Sequence, residues 1–178
     1  MYNRATINQL NGSSDNQATV EQTGVNGTAT ITQSDQAVNN QATISQSGYF
    51  GDWATIEQSN AREGKVTISQ NGGSIAHVKQ GIANGTTSVG NVVTIAQRDR
   101  ANATRLQQLG DLNQARINQT GNYNAVESVN GQVGSFALQQ GTGNALTVSQ
   151  SSDYIYNLAN VSQIGTGNTA TINQKGSY

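Results

Sequence analysis

The chain has no cysteine, which removes disulfides, thiolate metal sites and thiol nucleophiles together. It has one histidine, His77, so an imidazole metal site would have to recruit carboxylates, and Lys79 places a cation beside it. Charge is scarce: charged residues make up 11% of the chain and the formal net charge is −1, so little repulsion opposes self-association. No run of about 20 apolar residues is present, which excludes a membrane span. Ile, Leu, Val and Phe together make only about a fifth of the residues, too few for a wide oil-like core. The start, Met1-Tyr2-Asn3-Arg4, lacks the apolar core of a signal peptide. Either the chain is not secreted or it is a mature form with an added Met1.

What the chain does have is a repeat. A small residue, a polar one, an aliphatic, a polar one and Gln recur about every 12 residues, as in Ala5-Thr6-Ile7-Asn8-Gln9, Ala18-Thr19-Val20-Glu21-Gln22 and Ala170-Thr171-Ile172-Asn173-Gln174. A fixed period over the whole length marks a solenoid, one small unit stacked on copies of itself. Within the unit apolar and polar residues alternate, the pattern of a strand whose neighbouring side chains face opposite ways. Ile, Val and Thr favour strand, and the intervening Gly and Asn would break a helix.

Extending the alternation adds an Asn two residues before the small residue, so that Asn16, Ala18, Val20 and Gln22 share one face, as do Asn40, Ala42, Ile44 and Gln46. This face is placed inward. Its aliphatic row is Ile7, Val20, Ile31, Ile44, Ile56, Ile68, Val78, Ile95, Ile117, Val148, Val161 and Ile172. Its amides include Gln33, Gln58, Gln70, Gln97, Asn113, Gln119, Asn144, Gln150, Gln163, Asn168 and Gln174, with further closing glutamines at Gln9, Gln80, Gln108 and Gln140. A lone buried amide costs about 1–3 kcal/mol, whereas in a ladder each amide bonds to the coils above and below and the cost is cancelled. These Asn and Gln residues are therefore core residues, not ligands.

The connecting segments, such as Gln22-Thr23-Gly24-Val25-Asn26, are short and rich in Gly and Asn, which tolerate positive φ at tight corners. Two strands and two corners make a coil of roughly 23 residues. The expected fold is all-β: a single flat β-solenoid over 1–178 with two strands per coil and an enlarged loop at 81–90. Counting Asn124-Val126-Ser128-Asn130 as a unit and Phe136–Gln140 as the next gives about fifteen strands. Coils of three strands lack a third class of motif.

Sites of chemistry are sparse. No catalytic residue, metal site or cofactor is expected. His77 falls on an outward strand position, as a solvated surface residue. The acids are scattered singly in corners (Asp15, Asp35, Asp52, Asp99, Asp111, Asp153) and on outward positions (Glu21, Glu57, Glu127), where they keep a monomer soluble. Arg98, Arg100, Arg105 and Arg116 are the densest basic group, but no aromatic platform accompanies them and no specific nucleic-acid partner is expected. Gly141–Asn144 and Gly165–Asn168 look like phosphate loops, yet a strand follows where such loops need a helix. Tyr49, Phe50 and Trp53 have rings of the kind that bind sugar; packing of that corner cluster on its neighbour is the expected use.

The unit Asn-x-Ala-x-Ile-x-Gln followed by x-Gly, seen at Asn40–Gly48 and Asn168–Gly176, resembles the curlin repeat of bacterial curli subunits over nearly the whole chain. The resemblance implies a secreted subunit that polymerises outside the cell into amyloid fibres of the biofilm matrix, serving adhesion. It implies export through an outer-membrane pore, a minor nucleator subunit as partner, and a left-handed solenoid. The chain departs from the family where almost every strand is of the Asn and Ala type. Its C-terminus, Gln174-Lys175-Gly176-Ser177-Tyr178, lacks a strongly basic tail and so looks more like a major subunit than a nucleator.

Nothing before Asn3 or after Gln174 is expected to cap the solenoid. Asn157, Ala159, Val161 and Gln163, with Asn168, Ala170, Ile172 and Gln174, are expected to receive Asn3, Ala5, Ile7 and Gln9, with Asn16, Ala18, Val20 and Gln22, of the next chain. An odd strand count would turn successive subunits by half a revolution. The rival reading is an ice-binding solenoid, with Thr6, Thr30, Thr55, Thr147 and Thr171 on one outer face and Thr19, Thr43, Thr67 and Thr94 on the other. A polysaccharide enzyme would require a cleft of clustered acids.

Overall fold

The computed structural model describes residues 2–81, 87–128 and 136–176. Among them there is no helix. The strands, in chain order, are β1 (Arg4–Gln9), β2 (Gln17–Gln22), β3 (Thr28–Ser34), β4 (Gln41–Gln46), β5 (Trp53–Ser59), β6 (Ala61–Arg62), β7 (Lys65–Asn71), β8 (Ile75–Gln80), β9 (Ser88–Val89), β10 (Val92–Arg98), β11 (Ala103–Leu109), β12 (Gln114–Gly121), β13 (Asn124–Glu127), β14 (Ala137–Thr142), β15 (Ala145–Ser152), β16 (Asn157–Asn160), β17 (Ser162–Thr166) and β18 (Thr169–Gly176).

Two parallel sheets face each other. The back sheet runs β2-β4-β7-β10-β12-β15-β18, and the front sheet runs β1-β3-β5-β8-β11, followed by β13 with β14 and then β16 with β17. The nine front strands occupy seven levels, matching the seven of the back sheet, so the chain is a β-solenoid of seven coils with two main strands in each. Motif lies on motif: Ala5, Thr6, Ile7 and Gln9 register with Ala29, Thr30, Ile31 and Gln33, and these with Ala54, Thr55, Ile56 and Gln58. At one corner a short third column forms, where β6 pairs with β9 and single bridges join Ser14 to Val38 and Val38 to Arg62.

Coil length varies while the ladder does not. Stacked glutamines are 24 residues apart at Gln9 and Gln33, 22 at Gln58 and Gln80, 28 at Gln80 and Gln108, and 31 at Gln108 and Gln139. The excess at Gln80 to Gln108 belongs to the expected enlarged loop; of it, residues 82–86 lie outside the described residues, while Ser88 and Val89 form β9.

The count of about fifteen strands is close, and the difference sits at one place. The unit proposed at Asn124–Asn130 and the next at Phe136–Gln140 share a single level, because β13 and β14 both pair with β11. Val126 lies opposite Thr104 and Ala137 opposite Leu106, so Asn124, Val126, Ala137 and Gln139 occupy the four inward positions of one interrupted strand. Gln139, not Gln140, is therefore the closing amide; Gln140 is exposed, and Phe136 takes an outward position in place of the inward one. Asn130 lies outside the described residues.

The core is narrow and continuous. Ile31, Ile44, Ile56, Ile68, Val78, Ile95, Ile117, Val148 and Val161 are buried in one cluster, with Leu106 completing the row and Val20 and Ile172 packed partly against it. Corners demand backbone freedom where coils touch most closely. Gly121 has φ +78 and Gly141 φ +113, and a Cβ on either would run into the carbonyl oxygen of the stacked corner, Ser152 or Gly165. Left-handed conformation and lack of space together leave only glycine there.

Candidate functional site

The inward glutamines form two ladders with one direction. On the front side Gln9 Nε2 donates to Gln33 Oε1 at 2.9 Å, Gln33 to Gln58 at 2.9 Å, Gln58 to Gln80 at 2.9 Å, Gln80 to Gln108 at 3.0 Å, Gln108 to Gln139 at 2.9 Å and Gln139 to Gln163 at 2.8 Å. On the back side the same donation runs Gln22, Gln46, Gln70, Gln97, Gln119, Gln150, Gln174, at 2.6–3.0 Å. Every Nε2 points along the chain's winding direction and every Oε1 points back. Amide dipoles so aligned reinforce each other, as in any hydrogen-bond chain.

The asparagines bond amide to amide between coils, Asn40 Nδ2 donating to Asn16 Oδ1 at 3.1 Å, Asn124 to Asn102 at 2.9 Å, Asn144 to Asn113 at 2.9 Å and Asn157 to Asn124 at 2.9 Å, and they also make a second kind of contact. Several clamp the corner of the next coil: Asn16 Nδ2 donates to the Ala37 carbonyl at 2.8 Å while its Oδ1 accepts from Asn40 N at 2.9 Å, and Asn40 does the same with Ala61 O at 2.7 Å and Gly64 N at 2.7 Å. Asn113 and Asn144 repeat the clamp on Gly141 and Asn144, and on Gly165 and Asn168. Asp52 stands in for Asn, receiving Gly73 N at 2.8 Å and Ser74 N at 2.9 Å. Corner backbone groups that would otherwise be orphaned are thereby satisfied. Among the described residues no buried side-chain nitrogen or oxygen lacks a partner.

The ladders reach the ends of the solenoid. In the first coil the inward side chains are open: Ile7 is 46% exposed where Ile31 is 0%, Asn3, Ala5 and Gln9 are exposed, and Asn16, Ala18, Val20 and Gln22 are half-buried. At the other end Ala170, Ile172 and Gln174 are half-buried and Asn168 exposed, whereas Ala159, Val161 and Gln163 are buried and Asn157 half-buried. The winding carries β18 further along the axis than β16 and β17, so β18 is the more open of the last strands. One end therefore begins with the Oε1 atoms of Gln9 and Gln22, and the other finishes with the Nε2 donors of Gln163 and Gln174.

The outer faces carry the charged groups. His77 is outward on β8, as expected, but half-buried: its Nε2 lies 3.0 Å from Glu57 Oε1, Lys79 Nζ lies 3.0 Å from Glu57 Oε2, and the Phe136 ring meets the imidazole edge-on at 4.6 Å. The His77 hydrogen bond, and after it the Lys79 ammonium, hold the Glu57 carboxyl down from 4.5 to about 2, against the opposing effect of burial. Arg105 pairs with Glu127 at 2.8 Å. The basic group near residue 100 is dispersed: Arg105 lies on the front sheet, Arg116 on the back, and Arg100 stacks over the Phe50 ring at 3.5 Å. The Gly141–Asn144 and Gly165–Asn168 runs turn directly into β15 and β18. Among the described residues no group of three or more His, Asp and Glu is placed to hold a metal.

Sequence reasoning missed the direction of the glutamine ladders, the clamp made by asparagine, and the shared level of β13 and β14. The last had one visible signal at the adjacent pair Gln139-Gln140, where neither register fits the motif: ending at Gln140 puts Phe136 at the small position, and ending at Gln139 puts Ala137 at the aliphatic one. No family model, curated protein or solved structure matches the chain.

Proposed function

We propose that this chain is a structural subunit that self-assembles end to end into extracellular amyloid fibres of the curli type, forming biofilm matrix and serving adhesion. The observation that carries the reading is the pair of one-way glutamine ladders, which begin with acceptors on β1 and β2 and finish with donors on β16–β18. A second copy docked head to tail offers acceptor to donor on both sides. Two copies docked head to head oppose like groups. Parallel edge strands at both ends add backbone donors and acceptors of the same repeat. The low net charge leaves this association unopposed. The resemblance to curlin repeats adds the expectation of secretion through an outer-membrane pore and of a nucleator subunit as partner, with this chain closer to the major subunit.

The test is incubation of the purified chain in plain buffer, followed by electron microscopy and fibre diffraction. Fibres with a meridional reflection near 4.7–4.8 Å are expected. A folded chain that stays monomeric overturns the proposal.

A second reading keeps one specific observation. Thr147 and Thr171 lie on the back sheet, not with Thr6 as expected, so Thr19, Thr43, Thr67, Thr94, Thr147 and Thr171 form one outward row broken by Arg116 alone. That row suits an ice-binding face. Thermal hysteresis and faceted ice growth in the chain's presence, lost in Thr67→Lys, would favour this reading.

A further inference from the structure

A groove on the outer face of the front sheet takes no part in the axial ladders. Trp53 heads β5 opposite Ile75 of β8; Thr55 lies opposite His77, and Arg105 of β11 comes next in the same row. With Glu57 these side chains enclose a cavity of about 280 Å³, close to the lower bound of ligand pockets, roughly 300 Å³. Such a space admits one ring of a ligand.

The walls differ in character. On one side stand the indole of Trp53, 57% exposed, and Ile75. On the other stand Thr55, Glu57, His77 and Arg105. Charge within the groove is already balanced, since Glu57 engages His77 and Lys79 and Arg105 engages Glu127. An anion would have to displace Glu127 from Arg105, and a cation would have to displace two donors from Glu57. A purely apolar ligand would bury the polar wall without partners. The occupant that fits is uncharged, has one flat apolar face for the indole, and carries hydroxyls around its rim for the carboxylate and guanidinium. A cavity of similar size on the back sheet, beside Arg116 and Thr147, has no aromatic ring in its wall.

We propose that this groove binds a neutral pyranose unit of a polysaccharide, stacked on Trp53 with its hydroxyls bonded to Glu57 and Arg105. Trp53 was expected to pack in a corner cluster with Tyr49 and Phe50, but Tyr49 is 86% exposed and Phe50 is taken by Arg100, which leaves the indole face available. The site lies on the side of the solenoid, so it repeats once per subunit whether the chain is free or stacked, and its test is independent of fibre formation.

Trp53 is the single tryptophan, so its emission reports this groove alone. The chain is titrated with cellohexaose and with maltohexaose, with dextran sulfate as the anionic comparison. A saturable shift of emission to shorter wavelength with a neutral oligosaccharide, insensitive to added salt, is expected. Glu57→Gln removes a charged acceptor and should weaken binding about tenfold or more. Thr55→Tyr fills the groove from an outward strand position and should abolish binding with the far-UV circular dichroism unchanged. No response to either neutral oligosaccharide, a response to dextran sulfate alone, or undiminished binding by Glu57→Gln and Thr55→Tyr overturns the proposal.

Discussion

Gln70 is held from both axial sides, accepting from Gln46 at 3.0 Å and donating to Gln97 at 2.8 Å. Leucine in its place keeps the volume but strands the Gln97 oxygen, and the Gln46 Nε2 retains only the Thr28 carbonyl. At about 1–3 kcal/mol per stranded buried group, Gln70→Leu should cost about 3 kcal/mol, read as a lower denaturant midpoint, while the outward Thr67→Ser stays within ~0.5 kcal/mol. A hydrophobic gain in the leucine variant would contradict the amide-ladder account. Glu57 sets an acid limit at the same scale. Its carboxyl is held at about 2 in the folded chain, below its ordinary 4.5, so its contribution to stability is complete above 4.5 and is lost as pH falls towards 2. Glu57→Gln should flatten the fall in stability between pH 5 and 2; an unchanged slope would show that other groups carry it. The inward identity of nearly every Gln was legible because alternation places it on the aliphatic face. The one misplacement, Gln140 for Gln139, arose where two glutamines are adjacent and the local motif is cut.

At the scale of the element, strand and corner follow from period-two alternation and from Gly and Asn at the turns. They were legible because each unit repeats the same local chemistry. The shared level of β13 and β14 was not, because pairing with β11 is a long-range property and the irregular motif at Gln139-Gln140 marks a break there without giving its register. Its register makes a test. Glu127 lies opposite Asn160, while the Leu138 amide bonds the Val161 carbonyl at 3.1 Å and places Ala137 beside Val161. Joining Glu127 directly to Ala137 by deleting residues 128–136 should therefore restore an uninterrupted strand of Asn124, Val126, Ala137 and Gln139. The deletion variant is expected to keep the β spectrum and to match or exceed the parent's melting temperature, since fewer residues separate two pieces of one level and the entropy of bringing them together falls. Loss of the fold would show that the two strand pieces are not one level.

For the whole molecule, the number of levels decides how copies can stack. In the proposed fibre, seven complete coils would set β1 of an incoming chain over β16 and β17, and β2 over β18, so that Gln9 would continue from Gln163 and Gln22 from Gln174. The half-revolution expected from an odd strand count falls away, because the interrupted strand turns an apparent fifteen into fourteen. At about 4.8 Å per coil, seven coils give a rise of ~34 Å per subunit. Fold class was legible in the repeat, whereas the direction of the glutamine ladders and the number of levels depended on long-range pairing. Helical reconstruction of the fibres by electron cryo-microscopy tests the account most directly. A rise of ~34 Å per subunit with no half-turn, and the Gln163 amide donating to Gln9 of the next chain, is the predicted result; subunits related by a half-turn, or joined head to head, would contradict it.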